Sequence, residues 1–216
     1  MKHFDLPEQL HLFNEFLSQF KVSFSKPVID QLVSFAEMVV EGNEVTNLIS
    51  KNDAPKIFSR HITDSLIPCL ILNQQHKNLE NLRWADMGSG SGFPVIPLAI
   101  ACPQTSFFAV EPRTKRVQFL ESVKQKLSLQ NLNVIGKRFE TSELKDLDVI
   151  SCRALSSFEN DWERAKKSLK KDGIFVTLKS LDSVSHLQNS KDLSIIRYTL
   201  PKEEKNYALL IRGFYE

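Results

Sequence analysis

Three glycines alternate with serine in the segment Asp86-Met87-Gly88-Ser89-Gly90-Ser91-Gly92. The residues before it, 82–87, predict a short strand, and those after it, 93–101, predict a helix. Glycine allows the backbone to turn at positive φ and to approach a ligand closely, with the N-terminus of the helix beneath. Ligands of open α/β sheets bind at the carboxyl ends of the strands, so this loop predicts a ligand site.

The spacing of the glycines narrows the class of ligand. A dinucleotide fingerprint, G-x-G-x-x-G, requires glycine three residues after Gly90, where this chain has Phe93. A phosphate-binding loop requires lysine followed by serine or threonine, and this segment contains no lysine. The remaining pattern, D-x-G-x-G-x-G, resembles the first motif of enzymes that use S-adenosylmethionine. Gly88 and Gly90 are therefore predicted to line a cofactor site.

Acidic residues also follow the next two predicted strands. Glu111 ends the strand over 106–111, where a carboxylate can accept hydrogen bonds from both hydroxyls of a ribose. Glu140 follows the strand over 132–135, in the loop that normally meets the adenine. Together with Asp86, these residues place an acid after three successive strands, which favours a nucleoside-containing cofactor.

Strands and helices alternate from residue 82 onward, which indicates a parallel sheet with helices on both faces. The predicted strands are 82–87, 106–111, 132–135, 147–152 and 174–178, and the predicted helices are 93–101, 113–128 and 158–170. Residues 195–200 and 207–214, separated by a charged turn at 201–205, predict a terminal antiparallel hairpin. This α/β plan is that of the Rossmann-like methyltransferases.

Apolar residues recur at three- and four-residue spacing through residues 7–72, which predicts a series of helices. Ser25 and Gly42 suit the start and the stop of the second helix, and a third helix is predicted over 54–72. The polar run 73–78 predicts a linker. The predicted organisation is a helical N-terminal region, 1–78, and a methyltransferase domain, 79–216.

The composition excludes several classes of protein. The chain has 216 residues, of which 42% are hydrophobic and 25% charged, as in globular rather than disordered proteins. Its three cysteines lack C-x-x-C spacing, which excludes a disulfide scaffold and a cysteine-rich zinc module. No apolar run approaches the ~20 residues of a membrane span, and the N-terminus lacks the apolar core of a signal peptide. A cytoplasmic protein without metal or membrane partner is expected.

The formal charge of +2 is unevenly distributed. Residues 1–82 carry seven basic and ten acidic side chains, whereas residues 83–216 carry 21 basic and 16 acidic ones. The basic excess of the later part permits a polyanionic partner such as a nucleic acid. A solvated basic face is the alternative interpretation.

Several segments together identify the chain as similar to the GidB family (also called RsmG), bacterial methyltransferases that modify N7 of one guanine in 16S ribosomal RNA. They are Asn47-Leu48, Arg60-His61-Ile62-Thr63-Asp64-Ser65, Gly88-Ser89-Gly90-Ser91-Gly92-Phe93-Pro94, Ile96-Pro97-Leu98-Ala99-Ile100, Lys115-Arg116-Val117-Gln118-Phe119-Leu120, Arg138-Phe139-Glu140 and Arg153-Ala154. Val95 and Cys152 depart from the family, which usually has glycine and serine there. The resemblance implies S-adenosylmethionine as cofactor and the small ribosomal subunit as partner. A monomer is expected.

The resemblance also implies roles for individual residues. Cofactor contacts are implied at Gly88, Phe93, Phe139, Glu140 and Arg153, in addition to Gly90 and Glu111. RNA contacts are implied at Lys115, Arg116, Arg138 and Lys179, the last near the entering base. RNA contacts are also expected at Arg60 and His61, with the cofactor as the alternative partner of both and a structural role as the alternative for His61. Asp64 is expected to pair with Arg60 at i,i+4. A second basic set is expected on a helix away from this edge, namely Arg164, Lys166, Lys167, Lys170 and Lys171.

The end of the fourth strand, Ser151-Cys152-Arg153, discriminates between methylation chemistries. Methylation of an exocyclic amine calls for an Asp/Asn-Pro-Pro-aromatic group, which is absent. Methylation of a pyrimidine carbon calls for a cysteine nucleophile with a lowered pKa, and Cys152 lacks the Pro-Cys context. Guanine N7 requires neither, because its lone pair is already nucleophilic, so no catalytic side chain is predicted. The alternatives are a methyltransferase for a small molecule or protein, and a non-catalytic ribosome-assembly factor.

Overall fold

The computed structural model describes residues 5–153 and 155–213. The strands are β1 Arg83–Met87, β2 Ser106–Val110, β3 Leu132–Ile135, β4 Leu147–Arg153, β5 Leu169–Ser180, β6 Leu193–Thr199 and β7 Asn206–Gly213. The α-helices are α1 Leu6–Ser18, α2 Lys26–Gly42, α3 Thr63–Gln74, α4 Val95–Ala101, α5 Thr114–Lys126 and α6 Phe158–Ala165. Short 3-10 turns cover Lys51–Lys56, Phe139–Thr141 and Leu181–Val184, and a π-helical turn covers Ile57–Ile62.

The seven strands form one sheet in the order β3-β2-β1-β4-β5-β7-β6. The pairs among β1 to β5 are parallel, whereas β7 is antiparallel to both β5 and β6. The predicted parallel sheet with a terminal hairpin is therefore confirmed, although Phe214, the predicted last residue of the hairpin, lies outside the described residues. The carboxyl ends of β1, β2, β3, β4 and β5 meet at one edge, where a ligand site of this fold lies.

The predicted single helix over 54–72 is wrong, because the chain forms a 3-10 turn, a π-helical turn and α3 in succession. Pro55 lies inside the 3-10 turn and has no backbone N–H, so it cannot donate a helical hydrogen bond there. The backbone N–H groups of Phe58 and Ser59 donate to the side chain of Gln9, a buried residue of α1, at 2.8 and 3.1 Å. A side chain from another helix therefore satisfies the first donors of this segment.

The predicted helix over 158–170 is too long, because α6 ends at Ala165 and β5 begins at Leu169. Leu169 pairs with Leu147 of β4, and the register then shifts before Val149. Lys170 and Lys171 consequently lie on β5, so their predicted placement on a helix is also wrong.

The N-terminal helices cover one face of the sheet and share its core. Phe13 of α1, Phe35 of α2 and Phe58 of the π-helical turn are fully buried in one cluster that also contains Trp84 of β1 and Val176 of β5. A second cluster, with Ile150, Trp162, Phe175 and Leu210, fills the opposite face. This packing brings residues 57–64 to the carboxyl edge of the sheet. The domain boundary near residue 78 stays a prediction. Among the described residues, no helix is both long and apolar enough to cross a bilayer.

Candidate active site

The glycine segment forms a tight turn between β1 and α4. Gly88, Gly90 and Gly92 have φ of +76°, +55° and +94°, a conformation that side chains rarely adopt. The amides of Gly88 and Ser89 donate to the carbonyl of Val110 at the end of β2, at 2.9 and 3.1 Å. Val95, where the family usually has glycine, is the first residue of α4 and is fully buried, so its side chain packs in the core.

Glu111 ties the glycine turn to the loop after β2. Its carboxylate accepts hydrogen bonds from the amides of Gly90 and Arg113, both at 2.9 Å, and the side chain is buried. A carboxylate has about four lone-pair sites, so each oxygen retains one for a further donor. The predicted contact of Glu111 with ribose hydroxyls stays a prediction, and its contact with Gly90 adds a structural role.

Asp86 supplies a buried carboxylate at the end of β1. Its Oδ1 accepts a hydrogen bond from the Ser151 hydroxyl at 2.8 Å, whereas its Oδ2 has no partner among the described residues. Burial raises the pKa of this carboxyl to about 6, although the Ser151 and Ser89 hydroxyls oppose that shift. The residue is only 1% exposed, so Oδ2 is a buried acceptor that the described residues leave unsatisfied.

Two adjoining cavities lie along this edge, and we call them together the glycine-loop cleft. One, of about 400 Å³, is lined by the glycine turn, Glu111 and Arg153. The other, of about 180 Å³, is lined by Phe139 and Glu140. Both are bounded by Gly88, Pro112 and Leu155. The structure places the seven predicted cofactor residues around this cleft: Gly88, Gly90, Phe93, Glu111, Phe139, Glu140 and Arg153.

A larger cavity of about 490 Å³ lies beside the cleft, and we call it the β4–β5 pocket. Arg153 and Leu155 line both the cleft and this pocket. The lining of the pocket is mixed: it includes charged or polar side chains and the apolar Leu178 and Leu200. The polar and charged ones are Arg60, His61, Asp64, Arg153, Ser156, Lys179, Ser180, Ser183 and Tyr207.

Arg153 is held between the N-terminal helices and the hairpin. Its NH1 lies 3.3 Å from Asp64 Oδ2, and Tyr198 donates its hydroxyl to the other oxygen of Asp64 at 2.6 Å. The guanidinium also lies over the ring of Phe93, 5.1 Å from its centroid. Sequence analysis missed Tyr198, since it lies 134 residues from its partner Asp64 and no local pattern links them.

The predicted pairing of Asp64 with Arg60 is wrong, because Asp64 pairs with Arg153 and Arg60 pairs with Asp53. The prediction assumed a regular α-helix, in which residues four apart share a face. Arg60 lies in the π-helical turn, where the wider spacing moves the i,i+4 neighbour off that face.

His61 is buried and neutral. Burial, together with the nearby positive charges of Arg153 and Arg60, lowers the pKa of its imidazole to about 2. Its ring lies 5.2 Å from that of Phe93, and neither nitrogen has a hydrogen-bond partner among the described residues. An oxygen of Asp53 lies 3.4 Å from Nε2 but makes no hydrogen bond with it. The predicted RNA contact of His61 stays a prediction.

Lys179 and Cys152 lie deeper than the sequence suggests. The side chain of Lys179 is 7% exposed, and its Nζ lies 2.9 Å from Asp161 Oδ2. The Cys152 thiol is fully buried and contacts Asp161 and Thr177, at 3.5 and 3.3 Å. Burial and the Asp161 carboxylate raise the pKa of this thiol far above its ordinary value, so it stays protonated and lacks the reactivity of a nucleophile.

Basic side chains border the cleft, since Arg113 and Arg116 line its larger cavity and Arg138 lines its smaller one. Lys115 and Arg138 are exposed, and Arg116 is half-buried over the glycine turn, with its NH1 3.2 Å from where a Cβ of Gly90 would lie. Arg164 lines the cleft and pairs with Glu140 at 3.2 Å, so its predicted place away from this edge is wrong. Within the described ranges, no group of three His, Cys, Asp or Glu side chains is arranged to hold a metal ion.

Sequence comparison relates the chain to one family of proteins. Residues 28–208 match the model of GidB, described as rRNA small subunit methyltransferase G. The ribosomal RNA small subunit methyltransferase G of Shewanella piezotolerans is 30% identical over 202 residues, which cover 91% of this chain and 94% of that protein. The protein of the same name from Ectopseudomonas mendocina is 34% identical over 170 residues, 77% of this chain and 76% of that protein.

Solved structures share the fold. A methyltransferase from Geobacter sulfurreducens superposes with a TM-score of 0.60 at 14% identity, covering 92% of this chain and 96% of that chain. Precorrin-6y C5,15-methyltransferase from Geobacter metallireducens has a TM-score of 0.53 at 14% identity, covering 78% of this chain and 92% of that one. The predicted Rossmann-like methyltransferase fold is thus confirmed. The family match, which spans the glycine turn, the R-H-x-x-D-S segment and Arg153, shows that the chain is a methyltransferase that belongs to the GidB family.

Proposed function

We propose that this protein transfers the methyl group of S-adenosylmethionine to N7 of a guanine in the 16S rRNA of the small ribosomal subunit. One observation carries the proposal: the glycine-loop cleft and the β4–β5 pocket adjoin at Arg153 and Leu155. A cofactor in the cleft and a base in the pocket would therefore meet at one point. The relatives from Shewanella piezotolerans and Ectopseudomonas mendocina carry the name of ribosomal RNA methyltransferases.

The cleft suits S-adenosylmethionine because its lining offers partners for the ribose and the adenine of that molecule. The free lone pairs of the Glu111 carboxylate suit the ribose hydroxyls. Phe139 and Glu140 would hold the adenine at the far end of the cleft. When bound, the cofactor supplies a methyl group on a positively charged sulfur.

The side chains of this site suit a nitrogen that needs no deprotonation. The in-plane lone pair of guanine N7 forms the new bond to carbon while the carbon–sulfur bond breaks, and the positive charge moves from sulfur to the base. No proton leaves in this step, so the enzyme needs no general base. Its contribution is to hold the reacting atoms in line and to exclude water from them. Cys152 takes no covalent part, since its buried thiol stays protonated.

The basic residues divide by exposure. Arg116 and Arg138 line the cleft, and Lys115 is exposed beside Arg116 in the first turn of α5, so all three would contact phosphates of the RNA. Arg60, His61 and Lys179 line the β4–β5 pocket and would act close to the entering base. We propose that the protein acts as a monomer, in the cytoplasm, where small subunits are found.

The test uses purified small subunits that lack the modification. The protein and S-adenosylmethionine are incubated with them, and the nucleosides of the digested rRNA are analysed by mass spectrometry. We expect one N7-methylguanosine per subunit with the wild-type protein and none with Gly88→Asp, which should lose the cofactor. A methyl group at another atom, or none on the RNA, would refute the proposed acceptor. Transfer to a small molecule or a protein in parallel reactions would support those alternatives instead.

A further inference from the structure

The loop between β4 and α6 separates the two cavities of the site. Leu155 of this loop lines the cleft and the pocket, and it is 38% exposed. Its Cδ1 lies 2.8 Å from where a Cβ of Gly88 would be, so the leucine lies against the glycine turn. Its place in the site depends on the path of this loop.

A buried ion pair holds the next residue, Ser156, at three atoms. The backbone amide and the hydroxyl of Ser156 donate to the two oxygens of Asp161, at 3.3 and 2.5 Å. The carbonyl of Ser156 accepts a hydrogen bond from the ammonium of Lys179. Lys179 in turn pairs with Asp161 at 2.9 Å. Each polar group of Ser156 thus has a partner in this pair.

The burial of the pair indicates a role in specifying geometry. The Asp161 side chain is fully buried and that of Lys179 is 7% exposed, so both charges have lost their water. The desolvation of two charges offsets much of their attraction, and apolar replacements of a buried pair are often as stable. Stability therefore does not explain why this loop is held by charges. Charged hydrogen bonds are short and directional, and they favour one arrangement of the loop.

We propose that Asp161 is a positioning residue that, through Ser156 and Lys179, holds Leu155 between the cofactor and the acceptor base. The inference rests on the proposed function, since it takes the cleft as the cofactor site and the pocket as the base site. It also gives Lys179 an internal role in addition to its place near the base. Loosening the loop should slow methyl transfer far more than it weakens the binding of the cofactor, because the hydrogen bonds that fix the glycine turn run to Val110 and Glu111, whereas Asp161 bonds to Ser156.

The test compares two neighbouring serines. Ser156→Ala removes the hydroxyl that contacts Asp161, whereas Ser157→Ala removes the N-cap of α6, whose hydroxyl accepts from the amide of Asn160. Ser156→Thr keeps the hydroxyl and serves as the conservative variant. Each protein is assayed for single-turnover methyl transfer to small subunits, KM for the subunits, calorimetric affinity for S-adenosylmethionine, and Tm.

We expect Ser156→Ala to lower the single-turnover transfer rate about 10- to 100-fold, as misplacement of reacting groups does, and to change the cofactor affinity and KM by much smaller factors. Ser156→Thr should keep most of the wild-type rate. Ser157→Ala should lower Tm but not the rate. Asp161→Asn is a second test of the same contact. It should also lower the transfer rate much more than the affinity for S-adenosylmethionine. Equal transfer rates for Ser156→Ala and Ser157→Ala would overturn the positioning role of Asp161 and leave the proposed function standing. An inactive wild-type protein would overturn the proposed function, and the inference with it.

Discussion

The third glycine of the turn, Gly92, offers a quantitative test of the packing beneath the site. Its φ is +94°, and a Cβ there would lie 2.6 Å from Ile96 Cγ1, 3.2 Å from Phe35 Cζ and 3.3 Å from Leu120 Cδ2. These three side chains are fully buried and belong to α4, α2 and α5. Since all three helices are packed in one cluster, no single side chain can move away freely.

The cost of Gly92→Ala follows from these two observations. The left-handed conformation costs a non-glycine residue about 1–2 kcal/mol. The added methyl overpacks the core, which costs about 1–3 kcal/mol more. We therefore expect the free energy of unfolding to fall by about 2–5 kcal/mol, a large part of the ~5–15 kcal/mol of an ordinary domain.

Gly136→Ala is the matched control. Gly136 does not have a positive φ, and a Cβ there would lie 3.6 Å from Val117, an ordinary contact. We expect this variant to stay within about 1 kcal/mol of the wild type. Urea unfolding followed by circular dichroism measures both variants, with unchanged m-values as the condition for comparison. If the two variants differ by less than about 0.5 kcal/mol, the reasoning about Gly92 is refuted.

Four further expectations concern the site. Gly88→Asp places a carboxylate in the cleft and should abolish S-adenosylmethionine binding; calorimetry showing unchanged affinity in the folded variant would contradict this. Lys115→Ala combined with Arg116→Ala should flatten the salt dependence of RNA affinity by about one unit of slope per lost phosphate contact, and an unchanged slope would exclude such contacts. Cys152→Ser should keep activity within about tenfold, or ~1.4 kcal/mol of barrier, because the hydroxyl can still donate to the same acceptors; a dead variant that binds cofactor and RNA would indicate a nucleophile. The pKa of His61 is about 2 in the folded protein and 6.5 in the unfolded chain. Between these pH values only the unfolded chain binds a proton at His61, so the free energy of unfolding falls as the pH drops below about 6.5. His61→Phe should flatten this loss by up to ~1.4 kcal/mol per pH unit in urea unfolding, and an unchanged slope would show that His61 is not the group responsible.

Features that depend on local sequence were predictable. The glycine turn, the alternation of strands and helices, and the terminal hairpin each follow from residue spacing within short windows. The seven residues predicted to contact the cofactor lie around one cleft, because each stands at the end of a strand of a parallel sheet or in the segment after it. Val95 shows the same principle, since its burial inside α4 follows from its place after the turn.

Features that depend on distant parts of the chain were not predictable. The π-helical turn at Ile57–Ile62 is capped by Gln9, 49 residues before Phe58, so no local pattern announces it. For the same reason no local pattern shows that Asp64 pairs with Arg153 and not with Arg60. Asp161 looks like an ordinary acid in the first turn of a helix, and its pairing with Lys179 arises only when β4, β5 and α6 pack together.

The position of β7 in the sheet has a consequence for how the chain is made. It is the last of the described strands in sequence, yet it lies between β5 and β6. Both of these strands pair with β7 and not with each other. While the protein is being synthesised, β5 and β6 both present open edges until residues 206–213 have left the ribosome. Open strand edges are templates for pairing with other chains. A nascent or prematurely terminated chain that lacks β7 is therefore exposed to aggregation and to quality-control proteases, even though every residue of the glycine turn is already in place.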